Sequence, residues 1–213
     1  MYKRQVYNFD GETAKGDLAT AALDGNDFGS GVTASVFTLV DGNASGSFID
    51  GFQDDRLEIV LKGVQTTSTF QITIPTGVTV DLTGLSFDHG IQWNNGRTNS
   101  TYSKWSVSID NGGSATPSAV DDSRTPTEDV GEQSTNEALV LSGLTGLTAT
   151  TVTFTINGQF GVNTDFTSGN DQTRQAFLDN VTLTGSVGPV PEPGSLALLG
   201  LGGLLIGARR RRD

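Results

Sequence analysis

The sequence predicts an all-β protein: an antiparallel two-sheet sandwich, with a short hydrophobic helix at the C-terminus. Three observations predict it. Gly, Thr and Ser supply 28, 28 and 18 of the 213 residues, a composition rich in turns and β-branched side chains. Short runs of alternating polar and apolar residues recur between clusters of Gly, Asn, Asp and Pro, the pattern of sandwiches and barrels. Before the C-terminal segment, no window carries apolar residues at helical spacing.

The elements follow in chain order. Val6–Asp10 reads as a first strand ending at Gly11, and Val32–Val40 as a second, closed by Asp41-Gly42. Arg56–Lys62 alternates strictly, with Leu57, Ile59 and Leu61 on one face. Ser68–Ile74 repeats the alternation with Phe70, Ile72 and Ile74, and Pro75-Thr76-Gly77 breaks it. Val78–Leu82 and Gly84–Asp88 continue it. Thr101–Asp110 sets Tyr102, Lys104, Ser106 and Ser108 opposite Ser103, Trp105, Val107 and Ile109, which places Trp105 in the core. Ala138–Leu144, Thr151–Ile156 and Phe177–Leu183 bring the set to about nine or ten strands in one domain, residues 6–187. Asn111–Asn136, polar and carrying Pro117 and Pro126, is expected to be a long loop or lid. No repeat of fixed period is present, which argues against a solenoid or propeller.

Charge and composition narrow the chemistry. There is no cysteine and a single histidine, His89. Thiolate sites, disulfides and multi-histidine metal centres are excluded. The net charge of −11 hides a split: between Val6 and Val190 there are 22 acidic and 7 basic residues. So acidic a body repels phosphate backbones, and no nucleic acid is expected as a partner. The basic residues gather at the ends, as Lys3 and Arg4 and as Arg209–Arg212.

The C-terminus is the most informative segment. Pro191-Glu192-Pro193 lies in a linker, residues 188–194. An uncharged apolar stretch follows, Ser195–Ala208, and Arg209–Arg212 closes it within a tail that spans 195–213. Fourteen helical residues span about 21 Å, less than a hydrocarbon core of ~30 Å. The arginines favour the cytoplasmic side, which puts the body across the membrane.

This order of motif, apolar stretch and basic cluster resembles the PEP-CTERM sorting signal of Gram-negative bacteria. The resemblance implies export and recognition of Pro191, Glu192 and Pro193 by an exosortase. It also implies transient anchoring in the inner membrane through 195–208, then release to the cell surface or extracellular matrix. Exopolysaccharide is the expected setting. Met1–Gln5 (MYKRQ) carries no apolar h-region and resembles translated adaptor sequence, so the export signal is expected outside the given sequence.

Ala176–Gly185 resembles the closing strand of bacterial jelly-roll modules, carbohydrate-binding ones among them, and Tyr7–Gly11 resembles their opening. The resemblance implies a jelly roll with a structural Ca²⁺ where first and last strands meet, held by Asp10, Glu12 and Asp179. Asp24, Asp27, Asp165 and Asp171 lie in turns, where aspartates ordinarily serve backbone hydrogen bonds. Asp179-Asn180 interrupts an apolar run and is read as a buried polar pair.

Sugar contact is expected at Trp93, Asn94, Arg97 and Tyr102. Ile91–Arg97 reads as a polar loop carrying a tryptophan, and aromatic faces stack on sugars while amides and guanidinium bond hydroxyls. His89 is expected as a surface loop residue. No acid or nucleophile sits in a catalytic motif, so no catalytic residue is assigned and the chain is read as non-catalytic. The other reading is a polysaccharide-active enzyme, which needs paired carboxylates across a cleft.

Overall fold

A computed structural model describes residues 2–7, 20–21, 25–26, 28–41, 51–53, 56–59, 65–94, 101–124, 130–161 and 174–189. Its strands are β1 Tyr2–Tyr7, β2 Thr20–Ala21, β3 Gly25–Asn26, β4 Thr33–Ala34, β5 Phe37–Asp41, β6 Gly51–Gln53 and β7 Arg56–Ile59. The longer ones are β8 Gln65–Ile74, β9 Val78–Asn94, β10 Thr101–Ile109, β13 Val130–Ser142, β14 Thr150–Gly161 and β15 Arg174–Pro189. Two short strands, β11 Ser114–Thr116 and β12 Ala119–Arg124, lie between β10 and β13.

They form two antiparallel sheets. Sheet A runs β11-β13-β9-β15-β1-β3, with β7 and β6 attached beyond β15. Sheet B runs β12-β10-β14-β8-β5-β2, with β4 beside β8. From β8 to β15 every strand lies in the sheet opposite to the strand before it. Such crossings are how a jelly roll closes two sheets on one core.

Alternation decides which side chains meet. In β14, Val152, Phe154, Ile156, Gly158 and Phe160 are buried, and the residues between them are half-buried. They pack with Phe70 and Ile72 of β8 and Trp105 and Val107 of β10. Sheet A answers with Val80, Leu82, Leu85, Phe87, Leu178, Val181 and Leu183. Phe154 stacks on Phe70, their ring centroids 4.8 Å apart and near parallel, and Phe70 contacts Phe37 at 5.8 Å. The expected core position of Trp105 holds: it is 1% exposed.

The two ends of the sandwich differ. At one end short turns join the strands: Pro75–Gly77, Asp110–Gly113 and Gly143–Ala149. Side chains pin these turns, with Asp81 Oδ1 accepting the Gly146 amide at 2.7 Å and Asp110 Oδ1 the Thr153 amide at 2.7 Å. At the other end the strands are joined by residues 95–100, 125–129 and 162–173, which lie outside the described residues.

Four expectations are corrected. The segment from Asn111 to Asn136 is not one long loop: it contains β11, β12 and the start of β13. It looked like a loop because β11 and β12 are edge strands whose described side chains bury one apolar residue each, Ala115 and Val120, and polar edges discourage pairing with another chain. Ile91–Asn94 is not a loop either; it is the end of β9, paired with Val130–Gln133 and Arg174–Ala176. His89 is no surface residue but 1% exposed on the inner face of β9, edge-on to Phe87 at 6.0 Å. Asp179-Asn180 is not buried; Asp179 is half-buried and Asn180 exposed, because the strand bulges there.

Candidate functional site

Tyr102 is the one sugar-site candidate whose side chain is described, and alternation along β10 decides its direction. Ser103, Trp105 and Val107 are buried, so Tyr102, Lys104, Ser106 and Ser108 face outward from sheet B. Tyr102 pairs with Gly161 of β14, which has no side chain to cover the phenol ring, and with Ser123 of β12. Trp93 and Asn94 end β9, in sheet A, and share the same end of the sandwich. The structure therefore brings Trp93 and Tyr102 to one end but places them in different sheets. Arg97 lies outside the described residues, as do Asp10 and Glu12.

The outer face of sheet B is ordered by register. Ser108, Thr155, Thr69 and Thr38 form one row across four strands. Ser106, Asn157 and Thr67 form the next row toward the loop end, and Thr153 with Gln71 the next toward the turns. Thr151, Thr73 and Thr33 form the last. Hydrogen bonds join side chains across strands: Thr67 Oγ1 donates to Asn157 Oδ1 at 2.8 Å, Gln71 Nε2 to Thr153 Oγ1 at 3.3 Å, and Thr73 and Thr151 share a bond of 3.1 Å. A shallow hollow of 390 Å³ opens at the turn end of this face, lined by Ser108, Ile109, Asp110, Thr153 and Thr155. The chemistry of these rows is hydroxyl and amide, with Lys104 in the row beyond them toward the loop end, in register with Gln159. Its sequence signal was present in the i, i+2 threonines of β8 and β14, but it reads equally as solvent-facing strand.

The outer face of sheet A carries a second polar cluster. Asp88 and Asp179 lie opposite each other in register. Asp88 accepts Asn136 Nδ2 at 2.6 Å and Asn180 Nδ2 at 2.8 Å. Asp179 accepts the Asn180 amide at 2.6 Å. Two facing carboxylates repel, and the amide nitrogens of Asn136 and Asn180 offset that repulsion. Among the described residues, no group of three or more His, Asp or Glu is gathered to hold a metal ion.

Inside the sandwich, toward the loop end, sit Ser68, Ser103 and the Trp105 indole. Their Oγ, Oγ and Nε1 atoms are buried with no hydrogen-bond partner among the described residues. His89 Nε2 approaches Glu137 Oε1 at 3.6 Å across the β9–β13 pair. This end is thus the more polar half of the interior, while Phe70, Phe154, Ile72 and Val152 fill the turn half.

The described residues thus form a two-sheet β-sandwich with hydroxyl-rich rows on the outer face of sheet B and Tyr102 directed outward at its loop end. Residues 189–212 match the PEP-CTERM protein-sorting motif. The sandwich is similar to TmCBM61, solved in complex with beta-1,4-galactotriose, at 14% identity over 76% of this chain and 90% of that one, TM-score 0.28. It is also similar to a Podospora anserina GH26-CBM35 beta-(1,4)-mannanase, at 17% identity over 76% of this chain and 29% of that one, TM-score 0.33. A family 35 carbohydrate binding module from an environmental isolate aligns at 12% identity over 73% of this chain and 93% of that one, TM-score 0.29. No curated protein matches the chain.

Proposed function

We propose that the chain is an exported protein, processed by an exosortase and displayed at the cell surface or in the extracellular matrix, where its sandwich binds glycan without catalysis. The observation that carries the reading is the sorting motif at 189–212. Its position in the fold supports display. β15 ends at Pro189, paired with Val78 at the turn end. Trp93 lies at the opposite end of β9, and Tyr102, on β10 of the other sheet, lies at that same end of the sandwich. A sandwich tethered through its tail presents that end outward. β9, at 17 residues, spans about 55 Å, so the candidate contacts stand well clear of the anchor.

The glycan contacts are Trp93, Asn94 and Arg97 near the 95–100 connection, with Tyr102 on the neighbouring sheet. A glycan array probed with the full chain tests this. Wild type is expected to bind a defined set of glycans, and Trp93→Ala to lose that binding by about tenfold or more, the scale of one stacked aromatic. Undiminished binding by Trp93→Ala removes Trp93 from the site; no binding by wild type removes the glycan reading.

A further inference from the structure

We propose that the outer face of sheet B is the track on which a single chain of neutral polysaccharide lies, running from Tyr102 at the loop end to the hollow beside Asp110 at the turn end. The proposal rests on the glycan reading above and assigns it a surface. Charge is the first argument. The body between Val6 and Val190 carries 22 acidic residues against 7 basic, yet the row Ser106, Asn157, Thr67 and the row Ser108, Thr155, Thr69 are uncharged, with Lys104 the cation between Tyr102 and Ser106 and Asp110 at the hollow. An acidic polymer is repelled by such a body, while a neutral one meets hydroxyls and amides that can both donate and accept.

Geometry is the second argument. Neighbouring strands stand about 4.8 Å apart and i, i+2 residues about 6.7 Å, so the face offers hydroxyls at short, regular intervals. Cross-strand bonds such as that of Thr153 with Gln71 hold side chains in place before a ligand arrives. The track has distinct ends. Tyr102, set beside side-chain-free Gly161, offers an aromatic face for stacking. Six residues on, about 20 Å away, the hollow of 390 Å³ falls in the size range of small-ligand sites. Adjacent strands twist by about 20–25°, so a planar lattice such as ice or crystalline cellulose loses register across four strands, whereas one flexible polymer chain follows the twist.

Affinity electrophoresis of the full chain tests the proposal, in gels containing galactan, mannan, xylan or hydroxyethyl cellulose, with polygalacturonate as the acidic comparison. Wild type is expected to be retarded by at least one neutral polymer and not by polygalacturonate. Tyr102→Ala and Thr155→Lys are each expected to weaken that retardation about tenfold, with unfolding transitions kept cooperative. Should Thr155→Lys fail to fold, Tyr102→Ala with Ser108→Lys carries the test. Loss on Trp93→Ala with both face variants unaffected overturns the track and leaves the glycan reading standing. Retardation by polygalacturonate alone overturns the track as a neutral-polymer site. Absence of retardation in every gel, together with a blank glycan array, overturns both.

Discussion

At Asn180 the backbone takes φ 51°, a left-handed conformation that few L residues adopt without cost. The residue sits where β15 slips register against β9, between Asp179 and Thr182. Asn tolerates this φ, and its side chain is used there, donating to Asp88 at 2.8 Å. The position was visible in the sequence only as an Asp-Asn pair inside an apolar run. The bulge turns that pair outward, and the reading of a buried pair failed for that reason. Asn180→Val is expected to destabilise the protein by about 1–3 kcal/mol, as a β-branched side chain at positive φ. Asn180→Gly should cost less, since glycine accepts the φ and only the hydrogen bonds are lost. Thermal unfolding of the two variants checks the order; an equal fall in Tm would remove backbone strain as the cause. Gly185 makes the complementary case: a Cβ there would collide with the Asp81 carbonyl across the sheet, so only glycine permits the close approach of β15 to β9.

Among the elements, β9, β14 and β15 hold the centre of the fold. β9 is flanked by β13 and β15, and β14 by β10 and β8, so their amides are paired and covered on both sides. β11 and β12 are edges. Hydrogen exchange should therefore be slowest in 152–156 and 84–88 and fastest in 114–124, by several orders of magnitude if the fold opens from its edges. Equal protection in 114–124 would contradict that order. Phe154→Ala should lower stability by about 3–5 kcal/mol, because the ring leaves a cavity between Phe70 and the facing sheet. The alternation of β8 and β10 was legible because each buries one face, and burial writes itself into the sequence with period two. The described side chains of β11 and β12 bury one residue apiece, too few to show a period.

Across the whole molecule, the strand that leads to the sorting segment and the proposed glycan contacts end on opposite sides of the sandwich. The Pro191-Glu192-Pro193 tripeptide begins two residues past Pro189, where β15 leaves the turn end. On the proposed display reading, a body folded to within a few residues of the motif leaves little slack between the sandwich and its anchor. Mass spectrometry of the protein from its own host is expected to find a C-terminus near Pro193, with the segment Ser195–Arg212 removed. An exported protein retaining Arg212 would overturn processing at that motif.

The sequence by itself determined the fold class, the buried faces of β8 and β10 and the sorting tail. All three are local signals: a period of two, a run of apolar residues, a short ordered motif. Only the tertiary structure decided which sheet each strand joins. It set Trp93 in one sheet and Tyr102 in the other, brought Asp88 opposite Asp179, and aligned Ser108, Thr155, Thr69 and Thr38 into one row. Those relations depend on register between strands distant in the chain, and register is settled by the fit of the two faces against each other rather than by any one segment.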